Sequence, residues 1–328
     1  MTTRTTDLAG RKARNPVLRW TLALLAAGVV WLAFQLPATG PAAGAGTRIG
    51  SVRHERLAEV SGIAVSRQNP GVIWAHNDSG DSARLFAMRA DGTHLGVFTL
   101  PGARAIDYED MAIGPGPVDG IDYLYVADTG NNRLERTIVT VYRSPEPALA
   151  SDGLPVNRPL DKVEALPMSF PDRPHECETL LVDPLNGDIY LISRDRYANR
   201  KDASLVFRNP APQKAGVKTT LELIAELSTT FDIKGGDLSP DGSTILLRPH
   251  AAKRRTNALL WTWDRTRTLA QVFAEPGLQV PAAFERQGEA IAFSADGLSY
   301  FTIGEGLHAP IYQYELPPRP DTDQQSAE

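Results

Sequence analysis

From Thr47 to Leu316, short runs of β-branched, aliphatic and aromatic residues alternate with clusters of Gly, Pro, Asn and Asp. That rhythm predicts strands joined by tight turns, and no long helical periodicity interrupts it. Asp91-Gly92, Asn186-Gly187, Asp241-Gly242 and Asp296-Gly297 are turn signals, because these residues accept the backbone that hairpins require. Five blocks align without gaps: Ser61–Ser66, Glu109–Gly114, Glu178–Asp183, Lys234–Ser239 and Glu289–Ser294. A second apolar run follows each block, at Val72–Ala75, Tyr123–Ala127, Ile189–Ser193, Thr244–Leu247 and Ser299–Ile303. Third runs follow at Arg84–Met88, Ile138–Tyr142, Ser204–Phe207, Leu259–Trp263 and Ile311–Tyr314, and fourth runs at Leu95–Leu100, Lys162–Phe170, Leu221–Leu227 and Leu269–Phe273.

The fifth unit has no fourth run, while Thr47–Arg56 is a strand without a unit. Joining the two closes a ring and removes an exposed sheet edge. The predicted fold is therefore all-β: a β-propeller of five four-stranded blades over residues 47–316, closed by its N-terminal strand. The Pro-rich excursion from Ser144 to Pro159 leaves six blades as the alternative count. Residues 317–328 read as a disordered tail.

Ahead of the propeller, residues 1–19 are basic and residues 20–36 are apolar, predicting one hydrophobic helix, and residues 37–46 form an Ala/Gly/Pro linker. Positive charge before an apolar core orients the chain N-in, C-out. The segment is either a single-pass anchor or a signal cleaved near Ala43-Gly44-Ala45, and both place the propeller outside the cytoplasm. The net charge of −5 argues against nucleic-acid binding, and the single cysteine, Cys177, excludes an internal disulfide. The expected state is a monomer.

In a propeller the first strand of each blade lines the central channel, so the aligned columns become rings. Two residues before each block stand Glu59, Asp107, Glu176, Asp232 and Gln287; at the block starts stand Ser61, Glu109, Glu178, Lys234 and Glu289. Residues i and i+2 of a strand share a face, which sets Glu176 beside Glu178. Glu59, Asp107, Glu109, Glu176, Glu178, Asp232 and Glu289 are thus the channel candidates. Asp78, Asp128, Asp195, His250 and Glu305, at the ends of the second runs, form a secondary rim, and Lys234, Arg194 and Arg248 are the groups that would neutralise substrate charge. Carboxylates at this density must protonate, pair with a base, accept N–H bonds or bind a cation. Hard oxygen ligands suit Ca²⁺ or Mg²⁺. Three uses stay open: tying neighbouring blades together, holding a cation, or acting as an acid/base pair.

Cys177, Trp261 and Trp263 read as packing residues, and no nucleophile elbow, zinc-protease helix or phosphate loop is present. Tyr125-Val126-Ala127-Asp128-Thr129-Gly130-Asn131-Asn132-Arg133 resembles the core of an NHL propeller repeat. The acids before apolar first strands, as in Glu176-Cys177-Glu178 and Gln287-Gly288-Glu289-Ala290, resemble the phytase-like, "esterase-like" propellers of bacteria. That resemblance implies calcium held by channel carboxylates and bound phosphate esters. Two functions follow as expectations: an exported binding module whose acidic channel is structural or holds one cation, with an unidentified ligand or envelope partner, or a metal-dependent phosphate- or carboxylic-ester hydrolase.

Overall fold

The computed structural model describes residues 46–150, 153–194, 203–228, 232–250, 257–285 and 287–316. The basic and apolar segments of residues 1–36 and the polar tail lie outside them. Among the described residues no helix is long and apolar enough to cross a membrane.

Five sheets stand in a ring. Blade I is β2 (Val60–Val65), β3 (Val72–Asn77), β4 (Arg84–Arg89) and β5 (His94–Thr99). Blade II is β6 (Tyr108–Pro115), β7 (Asp122–Asp128), β8 (Val139–Pro145) and β10 (Glu164–Ser169). Blade III is β11 (Cys177–Val182), β12 (Ile189–Ser193), β13 (Ala203–Asn209) and β15 (Glu222–Ser228). Blade IV is β16 (Ile233–Leu238), β17 (Thr244–Pro249), β18 (Asn257–Thr262) and β19 (Leu278–Pro281). Blade V is β20 (Gly288–Phe293), β21 (Ser299–Gly304) and β22 (Pro310–Glu315), completed by β1 (Thr47–Ser51), which pairs antiparallel with β22. The leftover strand closes the ring as expected, and the blade count is five.

The Pro-rich excursion hides no further blade. Its β9 (Val156–Pro159) lies parallel to β5 as a fifth strand on blade I. A two-residue strand, β14 (Thr219–Thr220), extends blade II in the same way. Each added strand covers an outer edge whose N–H and C=O groups would otherwise be free to pair with another chain.

One expected strand is a helix. Residues 269–273 form α1 (Leu269–Phe273), and the fourth strand of blade IV is β19 instead. The reason is local: Thr268 accepts the Gln271 N–H while the Gln271 side chain returns to the Thr268 N–H, a capping box that starts a helical turn. Leu269, Val272 and Phe273 then fall on one buried face.

The core is divided by seam rather than by blade. One apolar cluster joins Val60, Ile63 and Phe86 of blade I to Ala290, Phe301 and Ile311 of blade V. Another joins Tyr125, Val141 and Met168 of blade II to Cys177, Leu180 and Phe207 of blade III. Trp261 and Trp263 pack with Ile192 and Leu227 across the seam of blades III and IV. Turn chemistry behaves as predicted where it is tightest: Gly242 and Gly297 each take φ of 69°, a conformation that costs a residue with a Cβ.

Candidate functional site at the channel mouth

In all five inner strands the pairing with the second strand slips at the same place. Val60 pairs with Asn77 but Gly62 with His76; Tyr108 with Asp128 but Asp110 with Ala127. Cys177 pairs with Ser193 but Thr179 with Ile192; Ile233 with Pro249 but Gly235 with Arg248; Gly288 with Gly304 but Ala290 with Ile303. The residues passed over are Ser61, Glu109, Glu178, Lys234 and Glu289, which is the block-start column. A bulged residue is left out of the ladder and its side chain is re-aimed. Five bulges in register turn this column into a belt around the mouth.

The belt is held by its own side chains. Ser61 Oγ lies 2.5 Å from the Glu109 carbonyl oxygen and 3.2 Å from Glu289 Oε2. Lys234 Nζ pairs with Glu178 and stands 2.7 Å from Glu289 Oε1. Arg194 pairs with Glu178 and reaches Glu176 Oε1 and Asp232 Oδ2, both at 3.6 Å.

Around this belt the carboxylates form three overlapping corners, each with ligand oxygens within 4.8 Å of one another: Asp78 with Glu289 and Glu305, Asp78 with Asp107 and Glu109, and Glu109 with Glu176 and Glu178. The corners differ in charge compensation. Lys234 and Arg194 serve the third corner, and Lys234 also serves Glu289 in the first, where Gln287 Nε2 donates to Glu305 at 2.6 Å. Among the described residues no base is ion-paired to the middle corner, although the charges of Lys234 and Arg136 act on it from farther away. Among the described residues the Asp78 carboxylate accepts only the N–H of Ser79, at 2.6 Å, and Asp107 is met by the Asn132 side chain. Glu109 is 4 % exposed, and its carboxylate has no hydrogen-bond or ion-pair partner among the described residues.

Electrostatics follow from that arrangement. Burial, then the charges of Asp78 and Asp107, push Glu109 well above the usual carboxylate range. Burial first, then Asp78 and Glu176, raise Asp107 to about 6. Burial, then Glu289 and Asp78, raise Glu305 to about 7, and burial raises Asp78 as well. A raised carboxyl binds its proton more tightly in the native state, so its cost to stability appears as pH rises through the native value. In chelator, Asp107→Asn should therefore melt above wild type at about pH 8, with the gap narrowing below about pH 6 and closing towards about pH 4, where native and unfolded chains both hold the proton. A constant gap across that interval would count against an uncompensated Asp107. Taking the difference cancels the opposing titration of His54, His76 and His94, whose values burial lowers.

The other candidates sit elsewhere. Glu59 is exposed; its backbone N–H donates to Asn77 Oδ1 at 3.1 Å and its carbonyl accepts the Asp78 N–H at 2.8 Å. Asp128 is buried against Arg136 at 2.9 Å and accepts the N–H groups of Ile106 and Asp107, so it fixes the loop before β6. The N–H of His250 donates to the Asp232 carbonyl at 2.6 Å. Arg248, expected to meet substrate charge, is instead 1 % exposed and paired with Glu285 in the seam of blades IV and V. Asp195 lies outside the described residues.

Sequence reasoning missed two acids deeper in the channel. Asp110 accepts N–H groups from Met111 at 2.8 Å, Leu180 at 3.0 Å and Gly236 at 3.3 Å, fastening blade II to blades III and IV. Asp237 accepts from Leu238 and, across the next seam, from Phe293 at 2.9 Å; withdrawal from water raises it to about 7. The available signal was an acid inside an apolar inner strand, which demands a buried partner.

No protein-family model and no curated protein matches this sequence. The resemblance to phytase-like propellers and NHL repeats finds no support there. Among solved structures, the chain aligns with "Structure of U3-55K" at 10 % identity and a TM-score of 0.42, covering 84 % of this chain and 100 % of that one. It aligns with the RRP9 WD40 repeats at 11 % and 0.39, covering 79 % and 80 %, and with the mitotic checkpoint complex at 12 % and 0.39, covering 78 % and 63 %. At these TM-scores the likenesses carry nothing about function, and the blade count rests on the chain's own strand order.

Proposed function

We propose that this protein is a binding propeller whose channel mouth holds a divalent cation at Asp78, Asp107 and Glu109 and takes an anionic group of its ligand on the open side of that ion. The observation that carries this reading is the middle corner, to which no described base is ion-paired, with Glu109 buried and oxygens of three acids within 4.8 Å. Two like charges about 4 Å apart repel by roughly 4 kcal/mol at an effective dielectric near 20, and a cation reverses the sign of that interaction. Oxygens supplied by the end of β3 and by the bulged start of β6 suit Ca²⁺, which accepts irregular geometry, better than Mg²⁺, which demands an octahedron.

The export reading of residues 1–36 belongs to the same proposal on the sequence pattern alone. A site outside the cell meets far more Ca²⁺ than one inside it, and extracellular sites work at roughly 10⁻⁴–10⁻³ M. Ester hydrolysis is the weaker reading. It needs a base to neutralise substrate charge, and Lys234, Arg194 and Arg248 are each engaged by carboxylates of the protein itself.

The test is a thermal melt of the full chain in chelator and after Ca²⁺ or Mg²⁺ is restored. Ca²⁺ at about 100 times its dissociation constant adds about 2.7 kcal/mol, a rise in Tm of roughly 5–10 °C. No shift with either ion overturns the reading. Chelator-sensitive turnover of a model phosphate ester would move the choice to the hydrolase.

A further inference from the structure

Resting on the cation reading just given, we propose that Gly130 is the residue that keeps the middle corner open: its missing side chain is the space in which Asp107 and Glu109 converge on an ion. A Cβ built at Gly130 falls well inside contact distance of Glu109 Oε1 and of the Asp107 carboxylate. These are its three nearest atoms, so a methyl group there strikes the corner's ligands and no other part of the protein as closely.

The loop cannot step back to make room. Arg136 Nη1 donates to the Gly130 carbonyl at 2.7 Å and its Nη2 to the Asp128 carbonyl at 2.9 Å. The Gly130 N–H is bound to the Asp107 carbonyl at 3.2 Å. Thr129 Oγ1 donates to the Cys177 carbonyl at 2.7 Å, and Asn131 Nδ2 donates to the carbonyls of Arg136 and His175 at 3.0 and 3.2 Å. The loop is thus bolted to blade III on both sides of Gly130. With the backbone fixed, an added methyl must displace the carboxylates.

A cluster of acids does not by itself mark a site, and here a second observation points to a ligand. Glu109 is buried, its carboxylate faces this corner, and no described residue hydrogen-bonds or ion-pairs with it, the charge of Lys234 acting from beyond ion-pair distance. Glu178 and Glu289, the other carboxylates of the belt, are directly ion-paired, both to Lys234 and Glu178 also to Arg194. Gly130 does not take a left-handed backbone, so alanine is sterically excluded by the acids and not by its own conformation.

The experiment measures Ca²⁺ affinity by titration calorimetry and the Ca²⁺-induced melting shift for the full chain and for Gly130→Ala. We expect at least tenfold weaker binding and loss of the melting shift in Gly130→Ala. Binding as tight as wild type overturns the role of Gly130 and leaves the cation reading standing. Wild type that takes up no Ca²⁺ overturns both. Should Gly130→Ala fail to fold, Gly130→Ala with Glu109→Asp is compared with Glu109→Asp alone, which withdraws one clashing carboxylate by a methylene. A weaker double variant supports the role of Gly130, and equal affinities overturn it.

Discussion

Glu146→Ala should lower stability by roughly 3–5 kcal/mol, the cost of leaving several buried donors without an acceptor. Glu146 sits in the loop after β8, and its carboxylate turns back onto blade I. It accepts the Ser66 hydroxyl, the Trp74 indole N–H at 2.8 Å, the Asn69 amide at 3.2 Å, and the backbone N–H groups of Gln68 and Arg67 at 3.0 and 3.3 Å. Trp74 is fully buried, so water cannot replace this acceptor without opening the seam. Hydrogen bonds to an ionised acceptor are worth more than neutral ones, which places the effect at the upper end of single substitutions. Glu146→Gln tests the chemistry separately: an amide of the same shape must present an NH₂ to one of these donors, so it recovers only part of the loss. Urea denaturation measures both. A change below about 1 kcal/mol for Glu146→Ala would remove Glu146 as the tie between the excursion and blade I. Ca²⁺ uptake should be unaffected in whatever fraction stays folded, because Glu146 belongs to the opposite end of blade I from Asp78.

How much of this was legible in the sequence depends on the range of the interaction. The block-start column could be read because the bulge recurs at one aligned position in every blade, so Ser61, Glu109, Glu178, Lys234 and Glu289 share a register even though the strand rule of alternation breaks there. Closure by Thr47–Ser51 could be read because a missing strand and a spare strand define each other. Leu269–Phe273 was misjudged although its signal was local: a Thr three residues before a Gln outweighed a five-residue apolar run. Charge compensation could not be read at all. Which carboxylate receives Lys234 or Arg194 is decided by side-chain reach across the channel, between residues 16 to 56 positions apart in these pairs. Glu178 and Glu109 occupy the same column, yet one is paired and the other is not, and that difference is what turns an acidic ring into one particular corner.

The same long-range blindness hid Arg248, and its removal is the second large effect. Arg248→Met should cost roughly 3–5 kcal/mol, because it strands a buried carboxylate. The guanidinium donates to the Ala290 carbonyl at 2.6 Å and the Ile303 carbonyl at 3.1 Å and pairs with Glu285, itself 6 % exposed. It therefore bolts β17 of blade IV onto β20 and β21 of blade V. Gly288 permits the approach, since a Cβ there would strike the guanidinium. Much of the expected loss comes from Glu285 rather than from the bond itself: an ion in low dielectric without its counter-ion pays the full desolvation cost. Arg248→Met with Glu285→Gln should then recover a large share of the stability, and a double-mutant cycle measures that coupling. Additive losses from the two single variants would mean that the pair does not act as a unit. Ca²⁺ affinity is the complementary readout. If Arg248 serves the seam, affinity stays at the wild-type value in every variant that folds; a weakened affinity for a phosphate-bearing ligand would return Arg248 to the mouth of the channel.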